Sequence, residues 1–312
     1  MNATIVCILR ILSHMPVILK FILLISTSLI TFAISSNVTF NDIETTVHVD
    51  LPERKLEDIA ITRGNKAKKA WPFFTSLFSK NFSSRHPICG GVLIDQHYVL
   101  TAAHCFGNKR WFSTGSLKDY FVRVGMTNTK KQDGTKHSLK KIRIHPDFEY
   151  RGHVGVPYND IALLILSEPS DEDIASLAHS GLIYYNKKVT VQGFGATKDK
   201  YGIYHHGYER GLPQHIQETN LIIDSAYSCS WKDKRPDSSM LCTREIEKGS
   251  QTCIGDSGGP VIYEHNNKPY LVGLVSWTPL GRCGMSDPGY LTKISKFKIW
   301  IETMIQFYNK KQ

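Results

Sequence analysis

Cys253-Ile254-Gly255-Asp256-Ser257-Gly258-Gly259-Pro260 is the stretch on which the reading of this 312-residue chain turns. Glycines flank Ser257, so backbone N–H groups around its hydroxyl can turn toward a developing negative charge, and no side chain at 255 blocks the approach. Alone, the segment reads equally well as a tight loop. Two distant segments change that. Leu100-Thr101-Ala102-Ala103-His104-Cys105 carries an imidazole, and Tyr158-Asn159-Asp160-Ile161-Ala162-Leu163-Leu164 carries a carboxylate ahead of an apolar run. A serine hydroxyl is a poor nucleophile at neutral pH and needs an adjacent base. Histidine can take that proton near pH 7 and return it to a leaving amine. A buried carboxylate then fixes the imidazole tautomer and stabilises the imidazolium. The chain supplies one of each, in the order His, Asp, Ser.

Outward from these segments, short apolar runs alternate with turn residues. Gly91–Ile94, Tyr120–Val124, Ile161–Leu166, Val189–Val191 and Tyr270–Val275 are examples. Their lengths and β-branched content predict an all-β sandwich or barrel. One segment differs: Phe297, Trp300, Ile301, Met304, Ile305 and Tyr308 recur at helical spacing. This predicts a C-terminal amphipathic helix whose apolar stripe docks on the body.

Charge and cysteine usage describe the rest. The chain has 38 Lys+Arg and 28 Asp+Glu, a formal net charge of +10, and 41% hydrophobic residues, which excludes a disordered or collagen-like chain. Residues 37–60 hold six acids (Asp42, Glu44, Asp50, Glu53, Glu57, Asp58) and two bases, Arg54 and Lys55. Residues 61–312 therefore carry 34 bases against 22 acids, a net +12. Such a body attracts anionic partners, glycosaminoglycans among them, although a solvated lysine surface has the same composition. Nucleic acid is not expected, because the bases are scattered and no recognition motif is present. Ahead of the acidic stretch, Phe21 to Ile34 is apolar after Lys20, and Ala33 and Ser35 are small. Residues 1–36 thus read as a signal peptide cleaved near Ser35, with an uncleaved anchor as the alternative. Cys7 leaves with that segment. Six cysteines remain (Cys89, Cys105, Cys229, Cys242, Cys253, Cys283), an even count that argues for three disulfides in an exported chain. Spacing alone allows 15 pairings. Asn37-Val38-Thr39 and Asn81-Phe82-Ser83 are glycan acceptor sequences. No Cys-x-x-Cys pair occurs, and no metal site is expected.

With these segments together, the chain resembles the chymotrypsin-like serine proteases from about Ile61 to the C-terminal helix. The resemblance implies two packed six-stranded antiparallel β-barrels with a C-terminal α-helix, the triad lying between the barrels. It implies His104 as general base, Asp160 as its orienting carboxylate and Ser257 as nucleophile, with the amides of Gly255 and Ser257 as oxyanion hole. Ser276-Trp277 resembles the edge that pairs with substrate backbone. Gln251, Thr252, Thr278 and Gly289 match pocket positions. The implied disulfides are Cys89–Cys105, Cys229–Cys242 and Cys253–Cys283. The resemblance implies no cofactor, protein or peptide substrates, macromolecular inhibitors as further partners, and a monomer.

The acidic residues 37–60 then read as an activation propeptide, and residues 61–312 as the protease domain. In the family, cutting exposes an amine that pairs with the Asp before the nucleophile, here Asp256. Alignment back from Trp71-Pro72 puts Ile61 at that new terminus. The family usually shows Ile-Val-Gly-Gly after a basic residue; here Ala60 precedes Ile61, and Thr62-Arg63 replace Val-Gly. At the pocket base, neutral Gln251 stands where a trypsin-like enzyme has Asp. A side chain at Thr278 narrows the slot. Small or medium apolar residues are expected, and Ala60 would suit such a pocket. Met126 stands in place of the usual calcium-loop acid after Gly125, so no metal is implied. The stretches Phe106–Leu117, Phe148–Tyr158 and Ala196–Pro213 are longer than usual for the family and read as cleft-rim loops. Two other readings stay open from the residues alone: a catalytically silent homologue that binds partners, and a protease tethered by uncleaved residues 17–34.

Overall fold

Ala162–Leu166 is buried at all five positions, the mark of a strand covered on both faces. It belongs to the first of two barrels. The computed structural model describes residues 61, 64–82, 85–107, 116–152, 155–196, 212–224, 229, 237–279 and 288–310, all within the compact unit Leu56–Gln312. Residues 1–60 with the signal and acidic segments, Asn37, Cys283, and most of the stretches 106–117 and 196–213 lie outside the described residues.

Asn65–Lys66 (β1) leads into the first barrel, built from β2 (Phe74–Ser79), β3 (Cys89–Asp95), β4 (Tyr98–Thr101), β5 (Tyr120–Val124) and β6 (Thr135–Ile144). A hairpin follows, β7 (Glu149–Arg151) and β8 (Val156–Tyr158), before Ala162–Leu166 (β9) completes the sheet. The order β2-β3-β4-β9-β6-β5 closes on itself. β10 (Ser176–Leu177) then lies parallel to a strand of the second barrel, at Tyr270–Leu271. That barrel comprises β11 (Lys188–Gly193), β12 (Gln217–Asp224), β13 (Met240–Glu245), β14 (Pro260–His265), β15 (Lys268–Trp277) and β16 (Gly289–Lys293), closed by the β12–β13 pairing. All the strands named in the sequence reading are present. Closure removes the exposed edges that short strands would otherwise present.

The C-terminal helix, α1 (Ile294–Asn309), buries Phe297 and Ile301 in the first barrel's core cluster, with Trp300, Met304, Ile305 and Tyr308 packed against it. Each fully buried side chain of this size stabilises by about 1.5–3 kcal/mol. Its opposite face carries Ile299 in solvent. The Tyr98 hydroxyl donates to Asn309 Oδ1 at 2.6 Å, and Arg143 donates to the Tyr308 hydroxyl, so the C-terminal end of the helix is tied to the barrel. Among the described residues no helix is long and apolar enough to cross a membrane.

Candidate active site

His104 sits in a single 3-10 turn, Ala103–Phe106, directly after β4. Ala102 and Ala103 are fully buried, and the adjacent Cys105 is bonded to Cys89 on β3, which anchors the turn to the barrel wall. Asp160 is placed by a tight reversal before β9. Asn159 takes a left-handed φ of 50°, a conformation its short amide tolerates, and its side chain donates to the Asp147 carbonyl at 2.9 Å. The reversal points Asp160 at His104.

The carboxylate is 2% exposed and densely satisfied. His104 Nδ1 lies 2.7 Å from Oδ2, and the His104 backbone N–H donates to Oδ1 at 2.9 Å. The Ser276 hydroxyl donates to Oδ2 at 2.6 Å, and the Thr292 hydroxyl donates to the Asp160 backbone carbonyl at 2.7 Å. Ser276 reaches the carboxylate because the β15–β16 register slips between Val275 and Trp277; such a bulge re-aims one side chain. Burial alone would raise the Asp160 carboxyl, but the His104 charge and these hydrogen bonds outweigh it and hold it below the ordinary value. Burial pulls the His104 imidazole down, and the Asp160 charge and hydrogen bond reverse that, leaving it above its ordinary value. With Nδ1 engaged by the carboxylate, Nε2 is the ring nitrogen left for chemistry.

Ser257 lies in a loop whose backbone calls for glycine at positions 255 and 258. Gly258 has φ +77°, and a Cβ there would stand 2.2 Å from Thr101 Oγ1 and 2.6 Å from the Gly90 carbonyl. Gly255 has φ +99°. The loop is laced to both barrels: Gly90 N–H donates to the Ser257 carbonyl and Gly258 N–H to the Val275 carbonyl, each at 2.7 Å. Among the described residues, no backbone carbonyl accepts from the N–H of Gly255 or Ser257. His104 and Ser257 line one cavity of about 230 Å³, together with Thr252, Ser276, Trp277 and Thr278.

Asp256 is fully buried. Its Oδ1 accepts from Gly195 N–H and its Oδ2 from Cys253 N–H, both at 2.8 Å. Burial outweighs these bonds and pushes the carboxyl up to about 7. Ile61 is also fully buried. Gln251 and Gly289 do not line the cavity. They adjoin it: a Cβ on Gly289 would be 4.0 Å from Gln251 Nε2 and 3.6 Å from Thr252 Oγ1. Disulfides join Cys89 to Cys105 and Cys229 to Cys242; Cys253 is disulfide-bonded as well, with its expected partner Cys283 outside the described residues. Asn81 is exposed, its amide donating to Asp119. Met126 is buried in an apolar cluster, and its loop is held by the Asp133 carboxylate, which accepts from the Thr127 N–H and hydroxyl and from the Asn128 N–H.

Sequence reasoning missed the hydroxyl of Thr292 and three cavity-lining residues of the β7–β8 hairpin, Tyr150, Gly155 and Pro157. The only signal for the latter was the length of the Phe148–Tyr158 stretch.

A family model described as Trypsin matches residues 61–301, a span that contains both barrels. The chain is 29% identical over 257 residues to the urokinase-type plasminogen activator of Gallus gallus, covering 78% of this chain and 57% of that protein. It is 28% identical over 306 residues to the clotting factor G beta subunit of Tachypleus tridentatus, covering 91% of this chain and 93% of the relative. This chain thus spans little more than half the length of the first and nearly all of the second. With a family model matched across both barrels and their intervening cleft, the chain belongs to the trypsin family of chymotrypsin-like serine proteases.

Proposed function

We propose that this chain is a secreted serine endopeptidase, made as a zymogen, that hydrolyses peptide bonds through a Ser257–His104–Asp160 triad and an acyl-enzyme. The observation that carries the reading is the His104 Nδ1–Asp160 Oδ2 bond of 2.7 Å, on an imidazole that shares its cavity with Ser257. In this reading Ser257 Oγ attacks the substrate carbonyl carbon and its proton passes to His104 Nε2. The carbonyl oxygen becomes an oxyanion and receives the N–H groups of Gly255 and Ser257. Collapse breaks the C–N bond; the imidazolium gives its proton to the leaving amine. Water then repeats the sequence on the acyl-enzyme, releasing the carboxylic acid and restoring the hydroxyl. Asp160 holds the tautomer and stays ionised throughout.

The zymogen part rests on Asp256. A buried carboxylate without a counter-charge is costly, and a new amine at Ile61 would supply one. For specificity, Gln251 offers no ion pair to Lys or Arg, and Thr278 occupies space on the cavity wall, so small or medium apolar residues are favoured before the scissile bond. Ala60 fits that preference, which makes self-activation part of the proposal; a Ser257→Ala precursor that processes itself normally would refute it. The exposed lysines 130, 131, 136, 140 and 141 favour anionic polymers as partners, tested by salt-sensitive retention on a polyanion column. Sequencing the amino terminus of secreted material distinguishes a cleaved signal from an anchor.

The decisive experiment is labelling by an active-site-directed fluorophosphonate. We expect labelling at Ser257, absent in Ser257→Ala, with turnover falling on the order of a million-fold in that variant. An unchanged rate there would mean a different nucleophile.

A further inference from the structure

The turn between β2 and β3 stands at the end of the first barrel that meets Ser257. Leu77 is paired with Cys89 just before the strands part, Cys89 is bridged to Cys105 beside His104, and Gly90 N–H donates to the Ser257 carbonyl. None of the described residues that line the cavity belongs to β2 or β3. A substrate whose acyl part fills that cavity therefore sends the residues after its scissile bond the other way, over the Cys89–Cys105 bridge toward the β2–β3 turn. The turn is pinned. Phe82 N–H donates to the Ser79 carbonyl at 3.1 Å, Lys80 N–H to the Asp119 carbonyl at 2.8 Å, and Lys80 Nζ to the Lys118 carbonyl at 2.7 Å. Leu117–Asp119 closes the long stretch that follows the His104 turn. At the junction of these two loops lies Asn81, exposed, its amide donating to Asp119 Oδ2 at 3.2 Å.

Asn81-Phe82-Ser83 is the one glycan acceptor sequence after Ile61. An acceptor asparagine must be reachable, and this one sits on an exposed turn. We propose that Asn81 carries an N-linked glycan that screens the leaving-group side of the cleft. A peptide passes beneath it, whereas a folded protein on that side of the scissile bond meets the glycan before it reaches Ser257. Transfer forms a bond from Asn81 Nδ2 to the anomeric carbon of a diphospholipid-linked oligosaccharide. The bond from that carbon to the diphosphate oxygen breaks, the lipid diphosphate leaves, and one amide proton passes to a base of the transferring enzyme. The second amide hydrogen remains to donate to Asp119, which holds the first sugar at the junction of the loops. Four residues of chain carry Asn81 beyond Leu77, at most about 14 Å, a distance that a branched glycan of several sugars spans. The inference rests on the secreted, proteolytic reading above and adds a control on which substrates and inhibitors reach the same site.

The test uses the full chain secreted from a eukaryotic cell line, with residues 56–60 replaced by the recognition sequence of a protease that cuts directly before Ile61. A first arm weighs the cut protein before and after an amidase that strips N-linked glycans and leaves aspartate. We expect the loss of one glycan's mass, with Asn81 converted to Asp. The loss should be absent in Ser83→Ala, which keeps the asparagine and its bond to Asp119. A chain secreted with Asn81 unmodified overturns the proposal. A second arm compares kcat/KM on one cleavable peptide that carries a compact protein domain on its carboxyl side with the same peptide carrying that domain on its amino side. Ser83→Ala, and wild-type chain stripped of its glycan, should cut the carboxyl-side fusion about tenfold faster than the glycosylated chain, with the amino-side fusion changed by less than about twofold. Unaltered rates on both fusions, or an equal gain on both, overturn the screening role. Every form is also labelled with an alkyl fluorophosphonate. A cut chain that is never labelled overturns the proteolytic reading and the screening role with it, while the mass alone decides whether Asn81 is modified.

Discussion

The Ser276 hydroxyl donates at 2.6 Å to Asp160 Oδ2, the same carboxylate oxygen that holds His104 Nδ1. A residue on a strand of the second barrel thus orients a histidine carried by the first. Hydrogen bonds to a charged acceptor are worth about 1.5–3 kcal/mol, so Ser276→Ala should lower kcat/KM by about tenfold or more. Losing this donor also makes the carboxylate more basic and strengthens its hold on the imidazolium. The acid limb of the pH–rate profile should move to higher pH in that variant; an unshifted limb would count against the link.

Asp160→Asn tests the other half of the pair. The Asp160 charge holds His104 above its ordinary value, and the proposed mechanism needs the imidazole neutral. In the wild-type chain kcat/KM should therefore fall as pH drops through a pKa above 6.5. The amide removes the charge and favours the wrong tautomer, so kcat should drop about 10⁴-fold, with the residual activity's acid limb shifted downward.

Asp256 predicts a pH dependence of stability in the uncut chain. Its carboxyl is raised to about 7 by burial from an ordinary 3.8. A folded-state pKa above the unfolded one means that the folded form binds the proton more tightly. The contribution is complete below about pH 4 and is lost as pH rises through about 7. Thermal melts of the uncut chain should show Tm falling across that window, and Asp256→Asn should flatten the slope. In chain cut before Ile61, the new amine would supply the missing counter-charge, and the decline should disappear.

The Cys89–Cys105 bridge closes a separation of 16 residues around the histidine turn. A loop of that size constrains the unfolded chain by about 3 kcal/mol. Replacing both cysteines by alanine should lower Tm by roughly 10 °C in a protein of this size. If the bridge also fixes the His104 turn, kcat/KM at a temperature well below the melt should fall as well, which a purely entropic role would not produce.

Much of this site was legible because the chemistry is local. The glycines on either side of Ser257 announce a backbone that side chains would obstruct, and Gly258 has a left-handed φ and is hemmed in by Thr101 and Gly90. Two of the implied disulfides are present as paired. The strands and the C-terminal helix followed from periodicity, since a period of two or 3.6 is written into the order of residues itself.

What the sequence determined by itself was therefore the inventory: an imidazole, a carboxyl and a hydroxyl in fixed order, apolar runs of strand length, an amphipathic end. Only the tertiary structure decided that a bulge at Ser276 turns its hydroxyl onto Asp160, that Thr292 holds the Asp160 backbone, and that Tyr150 faces the cavity. The reason is geometric. A side chain's face on a strand depends on its register against distant strands, and one slipped residue reverses it. At Ser276 the slip is in β15 against β16, and it delivers the hydroxyl to a carboxylate 116 residues earlier in the chain, so no single stretch of sequence shows the contact.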